Sequence, residues 1–91
     1  MEDNIIELKQ GEVLLHTNDE IKCLYLILSG ETDIYSRYGR ISTSAGSILG
    51  LSGSLYGLSL YNYVAKSDCT LRKFTVSGIS DLEKILWYRI S

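Results

Sequence analysis

The stretch GEVLLHTNDEIKCLYLILSGETDIY, residues 11–35, predicts three successive β-strands with turns between them. Side chains alternate in character over residues 12–16 and again over residues 31–37, as they do along a half-buried strand. The run CLYLIL, residues 23–28, is continuously apolar and is typical of a strand covered on both faces. The cluster TNDE, residues 17–20, is typical of a turn. The centre of the fold is therefore expected to be β-sheet.

The same rhythm of short apolar runs, glycines and polar clusters continues up to residue 76. Only the C-terminal segment has a helical pattern, because Ser80 and Glu83 form a capping box and apolar residues then recur at helical spacing up to Ile90. A β-sandwich, a jelly roll or a barrel with a helical appendage would each satisfy this order. The predicted elements are strands over residues 5–8, 12–16, 23–28, 31–37, 40–45, 48–51, 60–65 and 70–76, and a helix near residues 80–90.

The composition is that of one small globular domain. The 91 residues are 45% hydrophobic and 22% charged, which is too apolar for a disordered chain. No apolar run approaches the roughly 18 residues of a membrane-spanning helix, and the acidic N-terminus MEDN lacks the basic and apolar regions of a signal peptide. The net charge of −2 argues against direct contact with nucleic acid. We therefore expect neither a membrane nor a nucleic acid as a partner.

Residues able to carry catalysis are scarce. His16 is the only histidine, so the chain cannot supply the histidine-rich set of ligands that a catalytic metal needs, and His16 is expected to be a polar residue on a strand face. Neither a Gly-x-Ser-x-Gly elbow nor a Walker A motif is present. Cys23 and Cys69 lie among apolar residues and are expected to be small buried thiols in a reducing cytosol. The sequence thus predicts a cytoplasmic protein that is not an enzyme and has no metal or cofactor.

Several motifs follow one another at characteristic intervals. Gly11 begins a Gly-Glu pair, and a Leu-Tyr strand and a Ser-Gly-Glu corner come after Asn18, which stands at a turn position suited to a left-handed backbone. Gly46 and Gly50 form a Gly-x-x-x-Gly segment, and Ala65 begins the motif Ala-Lys-Ser-Asp-Cys. In this order the motifs resemble those of the cyclic nucleotide-binding domains, which are the sensor modules of catabolite activator-type transcription factors, protein kinase A regulatory subunits and gated channels. The resemblance covers nearly the whole chain and implies a double-stranded β-helix, a jelly-roll β-roll of about eight antiparallel strands with a short C-terminal helix.

The resemblance also places a phosphate-binding cassette at Gly46. In the family this cassette carries a Glu that binds the ribose hydroxyl and an Arg that pairs with the cyclic phosphate. The Glu position corresponds to Leu51, and the Arg position to Ser59 or to a residue next to it. No charged residue lies between Arg40 and Lys66, so no shift of register restores either group. The residues that such a degenerate cassette would still offer to a ligand are Gly50, Leu51, Ser52, Gly53, Ser59 and Leu60.

The uncharged cassette leaves several functional hypotheses open. In the first, the domain is a non-catalytic regulatory module that no longer binds cyclic nucleotide, and leucines fill its pocket from inside. In the second, it senses a different, weakly charged small ligand. In the third, it is a genuine cAMP- or cGMP-binding domain whose loop N–H groups and serines hold the anion. An unrelated β-barrel is the remaining alternative. The leucines in question are Leu51, Leu55, Leu58 and Leu60.

The C-terminal segment bears on the partners of the domain. In the family a long helix follows the short one, so the resemblance implies that residues 1–91 are one β-roll domain, a fragment without that long helix and without an output domain. Trp87 and Tyr88 point away from the helical stripe that contains Leu82 and Leu86. An exposed aromatic pair marks an interaction surface, and the commonest assembly is a two-fold dimer. We therefore expect a homodimer, with regulation of signalling or transcription through docking or oligomerisation.

Overall fold

The computed structural model describes residues 4–54 and 56–75, and these residues form two four-stranded antiparallel sheets. The first sheet has the strand order β1-β8-β3-β6, and the second has the order β2-β7-β4-β5. The mainly β, jelly-roll architecture predicted from the sequence is confirmed. The helix predicted near residues 80–90 and the aromatic pair Trp87 and Tyr88 lie outside the described residues. The elements are β1 (Ile5–Leu8), β2 (Val13–Leu15), β3 (Cys23–Ser29), β4 (Thr32–Ser36), β5 (Gly39–Thr43), β6 (Ile48–Leu49), α1 (Leu51–Ser54), β7 (Asn62–Ala65) and β8 (Cys69–Thr75).

The first sheet contributes the most deeply buried aliphatic side chains. Leu24 in β3 and Leu71 in β8 have no exposed surface, and Ile27 pairs directly with Leu71 across the two strands. Each such side chain contributes about 1.5–3 kcal/mol through its removal from water. Leu28, at the end of the apolar run, is 41% exposed, so the coverage expected on both faces does not reach this residue. The strand itself continues to Ser29.

The second sheet has its edge strands at β2 and β5. Ile34 in β4 pairs with Tyr63 of β7 on one side and with Ile41 of β5 on the other, and residues directly opposite each other share a face. Tyr63 belongs to the core, so this shared face points inward. Ile41 is nevertheless 67% exposed, because β5 is an edge strand of the sheet.

Turn residues take the conformations that their identities predict. Asn18 has a φ of 77°, the left-handed conformation expected where the resemblance put a turn residue. At the Ser29-Gly30 corner, a side chain on Gly30 would overlap the carbonyl oxygen of Asp68, so only glycine fits there. The neighbouring Cys69 thiol donates a hydrogen bond to the Glu31 carbonyl oxygen (3.0 Å) and is buried, as predicted. Cys23 is only half-buried, and neither cysteine forms a disulfide.

Candidate functional site: the cassette loop

The cassette begins with two glycines and a short helix. Gly46 and Gly50 both have positive φ values, 96° and 90°, which suit the loop opening that their spacing suggested. The helix α1 starts directly after Gly50, and the Ser54 N–H donates to the Gly50 carbonyl oxygen at 3.0 Å. The sequence analysis put a strand over residues 48–51, but β6 ends at Leu49 because the left-handed turn at Gly50 redirects the chain.

Gly53 brings this helix into direct contact with the far side of the loop. A Cβ atom on Gly53 would lie 2.5 Å from the carbonyl oxygen of Leu58 and 3.2 Å from the Cα of Ser59. Real Cβ atoms do not approach a carbonyl oxygen so closely, so the loop could not keep this path with a side chain at that position. The two arms of the cassette therefore pack backbone against backbone at Gly53.

The far arm of the cassette is also bonded to the turn that precedes β3. The Asn18 N–H donates to the Ser59 carbonyl oxygen, and the Ser59 N–H donates to the Asp19 carbonyl oxygen, each at 2.8 Å. The Ile21 N–H donates to the Gly57 carbonyl oxygen, also at 2.8 Å. These bonds, which we call the turn–cassette ribbon, join residues 18–21 to residues 57–59 through main-chain groups.

Ser59 is turned into the domain. The residue is 1% exposed, and its Oγ donates to the Tyr61 carbonyl oxygen at 2.7 Å. Its N–H and carbonyl groups already belong to the turn–cassette ribbon, so its side chain and main chain are all bonded within the domain. The adjacent Leu60 is 40% exposed instead. Of the positions at and beside Ser59 that could correspond to the family's arginine, the exposed ones are Leu58 and Leu60, and we take Leu60 as the position to test.

The expectation that leucines fill the pocket was wrong for two of them. Leu58 and Leu60 are 44% and 40% exposed, so they point outward. Leu51 is half-buried, Ser52 is exposed, and Leu55 lies outside the described residues. An apolar pattern without a helical or strand period does not specify which side chains of a loop turn inward, which is why the sequence could not settle this point.

Tyr63 is the residue that reaches the cassette from inside, and the sequence analysis missed it. Its ring is 3% exposed, and its hydroxyl is hydrogen-bonded to the backbone of Gly50. Burial raises the pKa of Tyr63, and the hydrogen bond to Gly50 opposes that shift only in part. In the sequence this tyrosine looks like any aromatic residue in a strand, and only the paired register of β4 and β7 shows that it faces the cassette.

The charged residues that flank the cassette are already engaged elsewhere. The Arg40 guanidinium lies 4.0 Å from the Asp33 carboxylate, which also accepts a hydrogen bond of 2.6 Å from the Ser42 hydroxyl. A hydrogen bond with Tyr35 and the charge of Asp33 raise the pKa of Arg40. Lys66 lies 3.8 Å from the Glu31 carboxylate. Both cations are therefore paired with carboxylates within the domain.

Other kinds of site receive no support from the described residues. His16 is exposed on the turn after β2, with its Nδ1 3.6 Å from the Asp19 carboxylate. Over residues 4–54 and 56–75, three or more His, Cys, Asp or Glu side chains never gather as metal ligands would. No helix in that part of the chain has the length and apolar character needed to cross a membrane.

Comparisons with known proteins agree with this geometry. The chain superposes on a regulatory subunit of a cAMP-independent protein kinase A from Trypanosoma brucei with a TM-score of 0.77 and 19% identity, covering 92% of this chain and 34% of that one. A mutant of that subunit bound to cAMP in its A site matches with a TM-score of 0.73 and 19% identity, covering 92% and 35%. The catabolite activator protein of Thermus thermophilus matches with a TM-score of 0.73 and 19% identity, covering 94% and 42%.

The chain thus spans about a third of the protein kinase A subunit, and at these identities the superpositions show the fold alone. A search of curated proteins found no match. The sequence profile described as "Cyclic nucleotide-binding domain" matches residues 5–84, which is most of the chain. The chain therefore belongs to the cyclic nucleotide-binding domain family, whose domains are regulatory and non-catalytic.

Proposed function

We propose that this domain is a regulatory module that keeps the β-roll of its family but does not bind cyclic nucleotide, and that it acts through docking or oligomerisation. The observation that carries the proposal is the state of the cassette. It has no charged side chain from residue 41 to residue 65, and Ser59 is turned into the fold with all its polar groups bonded. Tyr63 supports the same proposal because it occupies the inner side of the loop at Gly50.

The energetic cost of the missing charges supports the proposal. A hydrogen bond to a charged group contributes about 1.5–3 kcal/mol. Two such groups, the Glu and the Arg, would contribute about 3–6 kcal/mol, which corresponds to roughly 10²- to 10⁴-fold in affinity. A phosphate held by backbone N–H groups alone would also lose part of its hydration without a countercharge.

Solved relatives make this outcome reasonable. The Trypanosoma brucei subunit is described as cAMP-independent, so the fold exists in a form that does not depend on this nucleotide. Its cAMP-bound mutant carries three substitutions, one of which introduces an arginine. By analogy, we expect that nucleotide binding in this domain depends on charges that side-chain replacement can restore.

Calorimetric titration with cAMP and cGMP tests the proposal. We expect no binding to the wild-type domain at micromolar nucleotide. Leu51→Glu combined with Leu60→Arg is expected to create measurable binding, since both side chains have access to solvent. Leu51→Glu combined with Ser59→Arg is the matched control, which should only destabilise the domain because residue 59 is buried.

Two results would contradict the proposal. Micromolar binding by the wild-type domain would show that the backbone and serines suffice. Equal gains in nucleotide affinity by the two double variants would show that the burial of Ser59 does not prevent an arginine at that position from binding the phosphate.

Oligomerisation through the aromatic pair remains part of the proposal. Replacing Trp87 by Ala together with Tyr88 by Ser is expected to shift the mass measured by light scattering towards the monomer, while the β-type circular dichroism stays unchanged. A wild-type domain that is already monomeric at high micromolar concentration would refute this part of the proposal.

A further inference from the structure

A second concave surface lies at the end of the second sheet. Its walls come from the tip of the β4–β5 hairpin and from the segment that leads into β7, and it encloses a volume of about 510 Å³. Volumes of about 300–1,000 Å³ are usual for small-molecule sites. We call this surface the hairpin groove. The residues that shape it are Tyr35, Arg37, Tyr38, Leu60, Tyr61 and Asn62.

The walls of the hairpin groove are held in place by hydrogen bonds. The Asn62 Oδ1 accepts the Thr17 N–H at 2.8 Å, which fixes the start of β7 against the turn. The Ser36 Oγ accepts the Tyr38 N–H at 3.1 Å, which fixes the hairpin tip. The Tyr61 ring packs edge-on against Tyr63, with ring centroids 6.2 Å apart and planes at 70°. A groove built in this way loses little entropy when it takes up a ligand.

The groove carries one positive charge and no negative charge. Arg37 is the only charged residue among those that line it. Its guanidinium lies 5.5 Å from the centroid of the Tyr38 ring, and it forms none of the ion pairs found among the described residues. In a chain with a net charge of −2, an arginine that has no carboxylate partner within residues 4–54 and 56–75 and lies beside a cavity favours an anion.

The remaining walls favour a flat apolar group. Tyr38 and Tyr35 are 89% and 38% exposed, and Leu60 adds an aliphatic surface that is 40% exposed. Exposed aromatic rings beside a guanidinium offer stacking to a planar ligand and a cation to its charge. A fully charged phosphate would lack a second cation, because Arg40 is engaged by Asp33. One charge and one ring therefore match the groove better than a multiply charged group.

We propose that the hairpin groove binds a small aromatic monoanion of the arylacetate class, with its ring against the tyrosines and its carboxylate on Arg37. The groove shares Leu60 with the cassette but involves none of Gly50, Leu51, Ser52, Gly53 and Ser59, so its test uses the wild-type residue at position 60. It goes beyond the proposed function by giving the module a ligand of its own.

The test uses two probes that share one ring and differ in charge. Indole-3-acetate is the monoanion and indole-3-ethanol is its neutral counterpart, and each is titrated into the ¹⁵N-labelled domain while amide shifts are followed by NMR. Indole-3-acetate is expected to shift the amides of residues 35–38 and 60–62 and to bind about fivefold more tightly than the alcohol, which corresponds to about 1 kcal/mol for one solvent-accessible ion pair.

Two arginine variants test whether Arg37 causes the preference for the anionic probe. Arg37→Gln is expected to abolish the fivefold preference while leaving the binding of the alcohol unchanged. Arg72→Gln is the matched control, since Arg72 lies over the Phe74 ring at 5.4 Å but does not line the groove, and it should keep the preference. Equal affinity of the two probes, shifts confined to other surfaces, or no shift at millimolar probe would each overturn the proposal.

Discussion

The first sheet and the second sheet each contain four antiparallel strands, yet they bury very different side chains. Among the described residues, the most completely buried large side chains of the first sheet are Leu24, Ile27, Leu49 and Leu71, whereas the second sheet contributes only Thr32 to that group. The second sheet also carries the open edge strand β5 and the hairpin groove. The difference indicates that the largest fully buried aliphatic side chains lie in the first sheet, while the second sheet contributes Leu15, Tyr63 and Ala65 to the same core.

The largest effect is expected from a truncation in the first sheet. Leu71→Ala should lower the free energy of unfolding by about 2–5 kcal/mol, because it leaves a cavity at a residue with no exposed surface. Ile41→Ala, in the second sheet, removes a side chain that is 67% exposed. This substitution should change the free energy of unfolding by no more than about 0.5 kcal/mol. Urea denaturation of both variants measures the contrast, and equal losses would show that burial does not set the cost of truncation at these two positions.

An intermediate effect is expected inside the cassette. Gly53→Ala should destabilise the domain by about 1–3 kcal/mol, since the new methyl group meets the Leu58 carbonyl oxygen. Ser52→Ala, one residue earlier in the same helix but exposed, should be neutral or slightly stabilising because alanine is the better helix former. Thermal unfolding would report the opposite signs, and a stabilising Gly53→Ala would show that the two arms of the loop do not touch.

The smallest effect concerns Tyr63, which links the second sheet to the cassette. Burial raises its pKa in the folded state, so folding favours the protonated phenol. This contribution is complete below a pH of about 10, the ordinary value for tyrosine, and is lost as the pH rises through the folded-state pKa. The phenylalanine of Tyr63→Phe cannot ionise, so the free energy of unfolding of this variant should fall less steeply above that pH in denaturation experiments. At neutral pH the variant should be less stable by about 0.5–1.5 kcal/mol, because it lacks the hydrogen bond to Gly50. Parallel alkaline slopes for variant and wild type would contradict this assignment.

Much of the sheet framework was predictable because local signals and tertiary structure agree. The predicted strand over residues 5–8 has the observed bounds of β1, and the run from residue 23 was placed to within one residue at its end. Asn18 and the glycines punctuate the strands with positive φ values that few other residues adopt. The lack of charge in the cassette was also evident, since it depends on composition alone.

The interior of the cassette was not predictable, for physical reasons that differ from residue to residue. The helix α1 has only four residues, which is too short for a 3.6-residue period to be visible. Leu60 and Tyr61 were assigned to a strand, but β7 starts at Asn62 because the Ser59 hydroxyl closes a turn onto the Tyr61 carbonyl oxygen. Nothing in the sequence distinguishes Gly53, which touches the opposite arm, from a glycine that merely ends a strand.

The turn–cassette ribbon has a consequence for how this domain tolerates mutation. Its bonds at Asn18, Gly57 and Ser59 join main-chain N–H and carbonyl groups, although Asn18 and Gly57 themselves have positive φ values that favour Asn or Gly. The path of the far arm therefore does not rely on the chemistry of its exposed side chains, and residues such as Leu58 and Leu60 are open to replacement without unfastening the loop. A lineage with this ribbon could exchange a charged ligand-binding residue for an apolar one and still inherit the same loop, and a later exchange in the opposite direction would find the scaffold already in place.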